Sequence, residues 1–161
     1  MICFDASEGR FSFRAAAVVI YREHVLIHKA ASDDFWALPG GRVELFESSV
    51  GAVERELFEE LGVKCRVERL VWHTENFFEH EAERCHEVAN YFMVSLNDYP
   101  HFEPEVDFEG VEEDVNLVFR WVPLGSVGDY DLYPKFLVAG LKGLPDSVRH
   151  VIINECSCIA D

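Results

Sequence analysis

Residues 48 to 61 read as one amphipathic helix that carries more acid on one flank than an ordinary surface helix, with Gly41 ahead of it and Gly62 just beyond. At about 3.6 residues per turn, Val50, Val53, Leu57 and Leu61 share an apolar stripe. Glu56, Glu59 and Glu60 fill the neighbouring arc, with Glu56 and Glu60 one turn apart. Each like-charge pair at that spacing costs roughly 0.2–0.5 kcal/mol, and Arg55 is the helix's only basic residue. A solvated acidic face is the plain reading of such a run. A divalent cation accounts better for the crowding, because hard oxygen ligands converging from one helix face are what Mg²⁺ or Mn²⁺ selects. Ser48 or Ser49 suits the N-cap, and Gly62 suits a left-handed C-terminal residue.

The whole pattern runs Gly41, five residues, Glu47, seven residues, then Arg55-Glu56-Leu57-Phe58-Glu59-Glu60-Leu61-Gly62-Val63. It resembles the signature of the Nudix hydrolases at every fixed position. Upstream, Trp36-Ala37-Leu38-Pro39-Gly40-Gly41 is similar to the strand and turn that lead into that signature. The resemblance implies a three-layer α/β/α sandwich around a mixed β-sheet, in the α/β class. It implies hydrolysis of a nucleoside diphosphate linked to another group, such as a nucleotide sugar, a dinucleotide or a nucleoside triphosphate, with bound Mg²⁺ or Mn²⁺. On that resemblance Glu56 and Glu60 are metal ligands, Glu59 is a further ligand or positions water, and the Gly40 carbonyl is a backbone ligand. Arg55 is expected to pair with Glu47 and hold the loop against the helix without touching substrate. One more carboxylate is expected from a downstream loop, where Glu109, Glu112 and Glu113 are the candidates.

The chemistry that goes with this layout is direct. Divalent ions neutralise the pyrophosphate oxygens and acidify bound water, and a carboxylate takes the proton. Transfer of this kind needs positioning and charge stabilisation and no protein nucleophile.

A chain of 161 residues, 49% of them apolar, suits a single domain over residues 1–161. No stretch approaches the roughly 20 consecutive apolar residues of a membrane span, and Met1 to Arg14 has no signal-peptide core. Five irregularly spaced cysteines argue against a disulfide framework. Cys156-Ser157-Cys158 reads as two reduced thiols, and the expected location is cytoplasmic. The formal charge of −16, from 30 acidic and 14 basic residues, makes long nucleic acid a poor partner. A small nucleotide-derived substrate is the expected partner, no membrane is, and a homodimer is admissible.

Along the chain, Phe13 to Tyr21 and His24 to Ala30 read as a hairpin, and Phe35 to Leu38 as a short strand. Val63 to Phe78 and Glu87 to Leu96 are strand-like around a polar tip, Glu79 to Arg84. After an acidic loop from Glu103 to Asp114 come a strand from Asn116 to Val122, a helix within Tyr133 to Leu144 and a last strand from Val148 to Ile153. Arg14 lies on the first strand, either as an exposed edge charge or as a cation meeting phosphate or base. Phe35, Trp36, Phe77 and Tyr91 are aromatic residues placed to stack on a base or to fill the core. His28, His73 and His86 read as structural.

Subclass marks are missing. No proline lies between Pro39 and Pro100, where enzymes resembling ADP-ribose pyrophosphatases carry one. Phe77-Phe78-Glu79-His80 stands where enzymes acting on diadenosine polyphosphates carry a tyrosine, and the upstream pattern of coenzyme A pyrophosphatases is absent. Two other classes remain beside the hydrolase. One is a nucleotide sensor that keeps the fold without catalysis, against which the intact Glu56, Glu59 and Glu60 argue. The other is an isomerase acting on isopentenyl diphosphate, for which the Trp36–Val63 region lacks a cysteine.

Overall fold

The computed structural model describes residues 1–156. In chain order the first elements are β1 (Cys3–Ala6), β2 (Gly9–Val18), β3 (Ile20–Tyr21), β4 (His24–Ala30), β5 (Gly40–Arg42) and α1 (Ser49–Leu61). They are followed by β6 (Cys65–His80), β7 (Glu83–Leu96), β8 (Phe108–Glu109), β9 (Leu117–Pro123), a 3₁₀ turn at Leu124–Asp129, α2 (Phe136–Lys142) and β10 (Arg149–Asn154). One sheet has the order β1-β2-β7-β6-β10, with β5 added to β2, and a second has the order β3-β4-β9-β8. The first sheet is mixed, since β2–β7 and β10–β6 are parallel and its other pairs antiparallel.

Alternation along β2 places the two helices. Ala15 and Ala17 pack in one core with Ala52, Val53, Leu57 and Leu61 of α1. Ala16 and Val18 belong to the other core, with Leu137 and Leu141 of α2. All four β2 side chains are fully buried, and successive residues of a strand point to opposite faces. A strand covered on both sides is apolar without interruption, hence the Ala15-Ala16-Ala17-Val18 run. The result is an α/β/α arrangement with a helix on each side of the mixed sheet.

Several boundaries depart from the sequence reading. The run Phe13 to Tyr21 changes sheets at Val19, so only Ile20 and Tyr21 form a hairpin with β4. Phe35 to Leu38 forms isolated bridges, His28 with Ala37 and Trp36 with Leu132, and no strand. The β6–β7 hairpin closes at Glu81 and Ala82, both at positive φ (50° and 63°), so its second strand starts at Glu83. That is the backbone of a two-residue primed turn, made here without the usual Asn or Gly. β1 and β8 are additional strands, β8 lying inside the acidic loop. Cys3, Cys65 and Cys85 are free thiols, while Cys156 is in a disulfide, which corrects its reading as a reduced thiol. Ser157 and Cys158 lie outside the described residues. Among the described residues, no helix is long and apolar enough to cross a membrane.

Helix α1 is seated at both ends and at its start on the sheet. The Ser48 hydroxyl accepts the Gly51 N–H at 3.1 Å, and Gly62, at φ 70°, donates its N–H to the Phe58 carbonyl. Asn90 of β7 donates to the Ser49 hydroxyl at 3.0 Å and faces His73 at 2.7 Å through its amide oxygen. The apolar stripe is shifted from expectation, because Val50 is 39% exposed while Glu60 is only 4% exposed.

Helix α2 rests on Trp72 through Gly140, where an added Cβ would lie 2.9 Å from the indole. Gly to Ala in a helix normally stabilises by up to about 1 kcal/mol, whereas overpacking a core costs typically 1–3 kcal/mol. Gly140→Ala is therefore expected to lower stability by about 1 kcal/mol in urea unfolding, and a gain in stability would show that the indole yields.

Candidate functional site

Strand β5 sits at a sheet edge and brings the loop ahead of α1 onto β2, with Ala15 opposite Gly41 and Ala16 opposite Gly40. Two close approaches require glycine there. A Cβ on Gly41 would fall 2.2 Å from a Glu56 carboxylate oxygen. At Gly40, φ is 145° and a Cβ would fall 2.2 Å from the Ala15 carbonyl oxygen. The carboxylate of Glu56 thus lies directly on the backbone of the edge strand.

Arg55 holds this junction together. Its Nε donates to Glu47 Oε1 at 2.8 Å and its Nη2 to Glu47 Oε2 at 3.0 Å, a forked pair. Nη2 also donates to the Arg42 carbonyl at 3.2 Å. Nη1 donates to Glu56 Oε1 at 2.9 Å and to Glu59 Oε2 at 3.1 Å. Glu47 accepts the Glu44 N–H at 2.9 Å, and the Arg55 hydrogen bonds hold the Glu47 carboxyl below its ordinary pKa. One guanidinium therefore links the loop carboxylate, the β5 carbonyl and two helix glutamates.

The third helix glutamate faces inward. Glu60 Oε2 lies 3.4 Å from His28 Nδ1, longer than a well-formed hydrogen bond. Neither atom has a hydrogen-bond partner among the described residues, and both side chains are buried. From sequence alone His28 reads as structural. The available signal was its alternation with Leu26, which packs in the α1 core.

Glu56 has its pKa raised, chiefly by burial and further by Glu60 and Glu59, with Arg55 opposing. Glu112 is raised by burial, then by Glu60 and Glu59. Of the three downstream candidates Glu112 is half-buried, while Glu109 and Glu113 are exposed. Its loop docks on the end of α1, with the Val111 N–H donating to the Glu60 carbonyl at 2.8 Å.

These residues fit a hard divalent cation in chemistry and in charge. The donors are carboxylate and carbonyl oxygens, one carboxylate oxygen is buried without a hydrogen-bond partner, and burial together with neighbouring acids raises the pKa of Glu56 and Glu112. Among the described residues, no three His, Cys, Asp or Glu side chains are gathered into a ready metal cluster. Glu56 and Glu59 are turned onto Arg55 instead.

On the other side of β2 opens a cavity of about 610 Å³, lined by Arg14, Phe35, Leu38, Asn76, Glu87 and Tyr91 among others. Arg14 donates to the Leu38 carbonyl at 3.1 Å, just ahead of Gly40. Of the candidates for substrate contact, Arg14 and Phe35 share this cavity. Trp36 does not line it. The indole is 7% exposed in the α2 core, with the Arg120 guanidinium 4.8 Å from its ring centre. Phe77 is also elsewhere, stacked on His86 at 4.4 Å.

The family model for the NUDIX domain matches residues 12–138. The chain belongs to the Nudix family. A Bos taurus protein, diphosphoinositol polyphosphate phosphohydrolase 3-beta, is 34% identical over 88 residues, covering 52% of this Nudix chain and 51% of that protein. A Homo sapiens diphosphoinositol polyphosphate phosphohydrolase is 31% identical over 101 residues, 60% of this chain and 54% of that one. The chain spans about half the length of the curated relatives it matches. Among solved structures, a Nudix hydrolase from Nitrosomonas europaea superposes with TM-score 0.64 at 19% identity, over 94% of this chain and 82% of that one. A MutT protein from Bacillus halodurans gives TM-score 0.62 at 17% identity, over 88% and 90%. These two likenesses establish the Nudix fold.

If Arg55 works through Glu47, Glu47→Ala and Arg55→Ala are expected to be non-additive in urea unfolding, with a coupling of roughly 0.5–3 kcal/mol. Arg55→Ala is expected to cost more, because it also releases Glu56 and Glu59. Two losses that simply add would mean that the residues act separately.

Proposed function

We propose that the protein hydrolyses a nucleoside diphosphate linked to another group, using Mg²⁺ or Mn²⁺. Glu56, Glu59, Glu60 and the Gly40 carbonyl would hold the ion, with Glu112 as the downstream carboxylate. The observation that carries this reading is Glu60, buried at 4% exposure near Glu56 and Glu112, whose Oε2 has no hydrogen-bond partner and only His28 Nδ1 at 3.4 Å. Burying a carboxylate without compensation is costly, and a cation is the compensation these oxygens suit.

A divalent ion supplies charge neutralisation at the pyrophosphate and activation of water. The chain's own residues do the rest. Arg55 and Glu47 fix the loop to α1, and Gly41 lets Glu56 reach the edge strand. A helix glutamate, Glu56, Glu59 or Glu60, takes the proton from the attacking water. Water adds to phosphorus as the bridging oxygen leaves, giving a nucleoside monophosphate and a phosphorylated remainder, or pyrophosphate from a triphosphate. The cavity beside Arg14 and Phe35 receives part of the substrate.

One observation favours the non-catalytic sensor, namely that Arg55 engages both Glu56 and Glu59. Activity decides between the two. Purified protein with Mg²⁺, screened against nucleotide sugars, dinucleotides and nucleoside triphosphates, is expected to turn over at least one of them. EDTA should abolish that turnover, and Glu60→Gln should lower it by several orders of magnitude while the melting temperature holds or rises. In a single turnover in oxygen-18 water, one label should appear on a released phosphate group. Tight nucleotide binding with no turnover of any diphosphate compound would establish the sensor instead.

A further inference from the structure

The β6–β10 edge of the large sheet carries a second group of metal-ligating side chains, apart from the acidic arc of α1. His73 and Glu75 stand two residues apart on β6 and share a face. Strand β10 runs parallel to β6, with His150 directly opposite His73 and Ile152 opposite Glu75. That register puts His150 on the same face. The His73 and His150 ring centres are 5.6 Å apart, and His150 Nε2 lies 2.6 Å from a Glu75 carboxylate oxygen. Asn90, the partner of His73 on β7, reaches Ser49 at the start of α1. Glu56 comes about two turns further along that helix.

The hydrogen bonds prepare His73 as a ligand. Asn90 donates its amide N–H to the Ser49 hydroxyl, so its amide oxygen is the atom 2.7 Å from His73 Nδ1. An amide oxygen only accepts. Nδ1 therefore carries the proton, and Nε2 keeps its lone pair. Metal-bound histidines are held in this manner, with the second ring nitrogen donating to a fixed acceptor.

The spacing suits a transition ion. Ligand atoms about 2.0–2.2 Å from Zn²⁺ at tetrahedral angles lie roughly 3.3 Å from one another, with imidazole centres roughly 5 Å apart. The two rings are near that separation. The three side chains are not drawn to one point, because Glu75 sits on His150. Opening that contact by less than about 1 Å makes room for the ion. The His150 and Glu75 side chains are 53% and 36% exposed, so they can shift without disturbing the core. Two imidazoles with one carboxylate suit Zn²⁺, Ni²⁺ or Cu²⁺, whereas Mg²⁺ takes oxygen ligands.

We propose that His73, Glu75 and His150 form a binding site for a divalent transition ion of the Zn²⁺ class, separate from the carboxylates of α1. The ion replaces the proton between His150 and Glu75, takes water as its fourth ligand, and ties edge strand β10 to β6. The inference does not rest on the hydrolase reading.

The test is calorimetric titration of Zn²⁺ into the full chain and into His73→Gln, Glu75→Gln, His150→Gln and Glu60→Gln, with Co²⁺ absorption as a report on the ligands. The three edge variants should each weaken one Zn²⁺ site about tenfold or more, while Glu60→Gln leaves that site in place. Zn²⁺ should raise the melting temperature of the wild-type chain and raise that of His150→Gln by less. The visible bands of tetrahedral Co²⁺ should appear in the wild-type chain and fade in His150→Gln. His150 and Glu75 lie at the surface, so their variants keep the test open if His73→Gln fails to fold. A wild-type chain without a Zn²⁺ site would overturn the proposal. So would an affinity unchanged in both His150→Gln and Glu75→Gln, and loss in Glu60→Gln alone would assign the ion to the acidic helix.

Discussion

The guanidinium of Arg55 is a cation inside a ring of acids, and the local structure is arranged around it. Glu47 takes its fork, Arg42 offers a carbonyl, and Glu56 and Glu59 approach from the helix. Exposed ion pairs contribute little, but this one is partly buried and has several partners, so removing any one leaves others uncompensated. The loop from Gly40 to Glu47 has few apolar anchors, with Leu45 and Phe46 exposed and Val43 buried. Its position against α1 therefore depends mainly on this charge and on the glycine contacts.

The acidic helix was legible because its information is local. Spacing along one helix gives most of the face, Ser48 or Ser49 the start and Gly62 the end, and the structure caps the helix with Ser48 and Gly62. What sequence could not give is set by partners distant in the chain. Glu60 looks like a surface glutamate until β4 brings His28 against it. Val50 fits the stripe by angle, yet no element covers it. The change of sheet at Val19 is invisible in a run of β-formers, since both halves have the same composition. Asn76 and Glu87 meet only through the register of a hairpin whose turn, at Glu81 and Ala82, lacks the residues that usually announce one.

Strand β2 also divides the chemistry. Ala15 and Ala17 face the core under the acidic helix, while Ala16 and Val18 face the core that continues toward the cavity. Arg14, one step earlier, lines the cavity and pairs across β5 with Arg42, whose carbonyl Arg55 holds. The acidic helix and the cavity, on opposite faces of one strand, are thus joined by a three-residue edge strand.

The parallel pairing of β2 with β7 has a consequence for assembly. Arg10 meets Cys85 and Val18 meets Met93, partners separated by nearly half of the chain. Closing so long a loop is entropically unfavourable before any contact rewards it, and non-local pairing of this kind slows folding. The β6–β7 hairpin, by contrast, closes between neighbours in sequence and supplies the template on which β2 docks. Strand β5 pairs with β2, and the Glu56 carboxylate lies against β5. During synthesis the acidic helix therefore emerges before β7, the strand on which β2 docks, and the Glu112 loop that closes on the end of α1 leaves the ribosome later still.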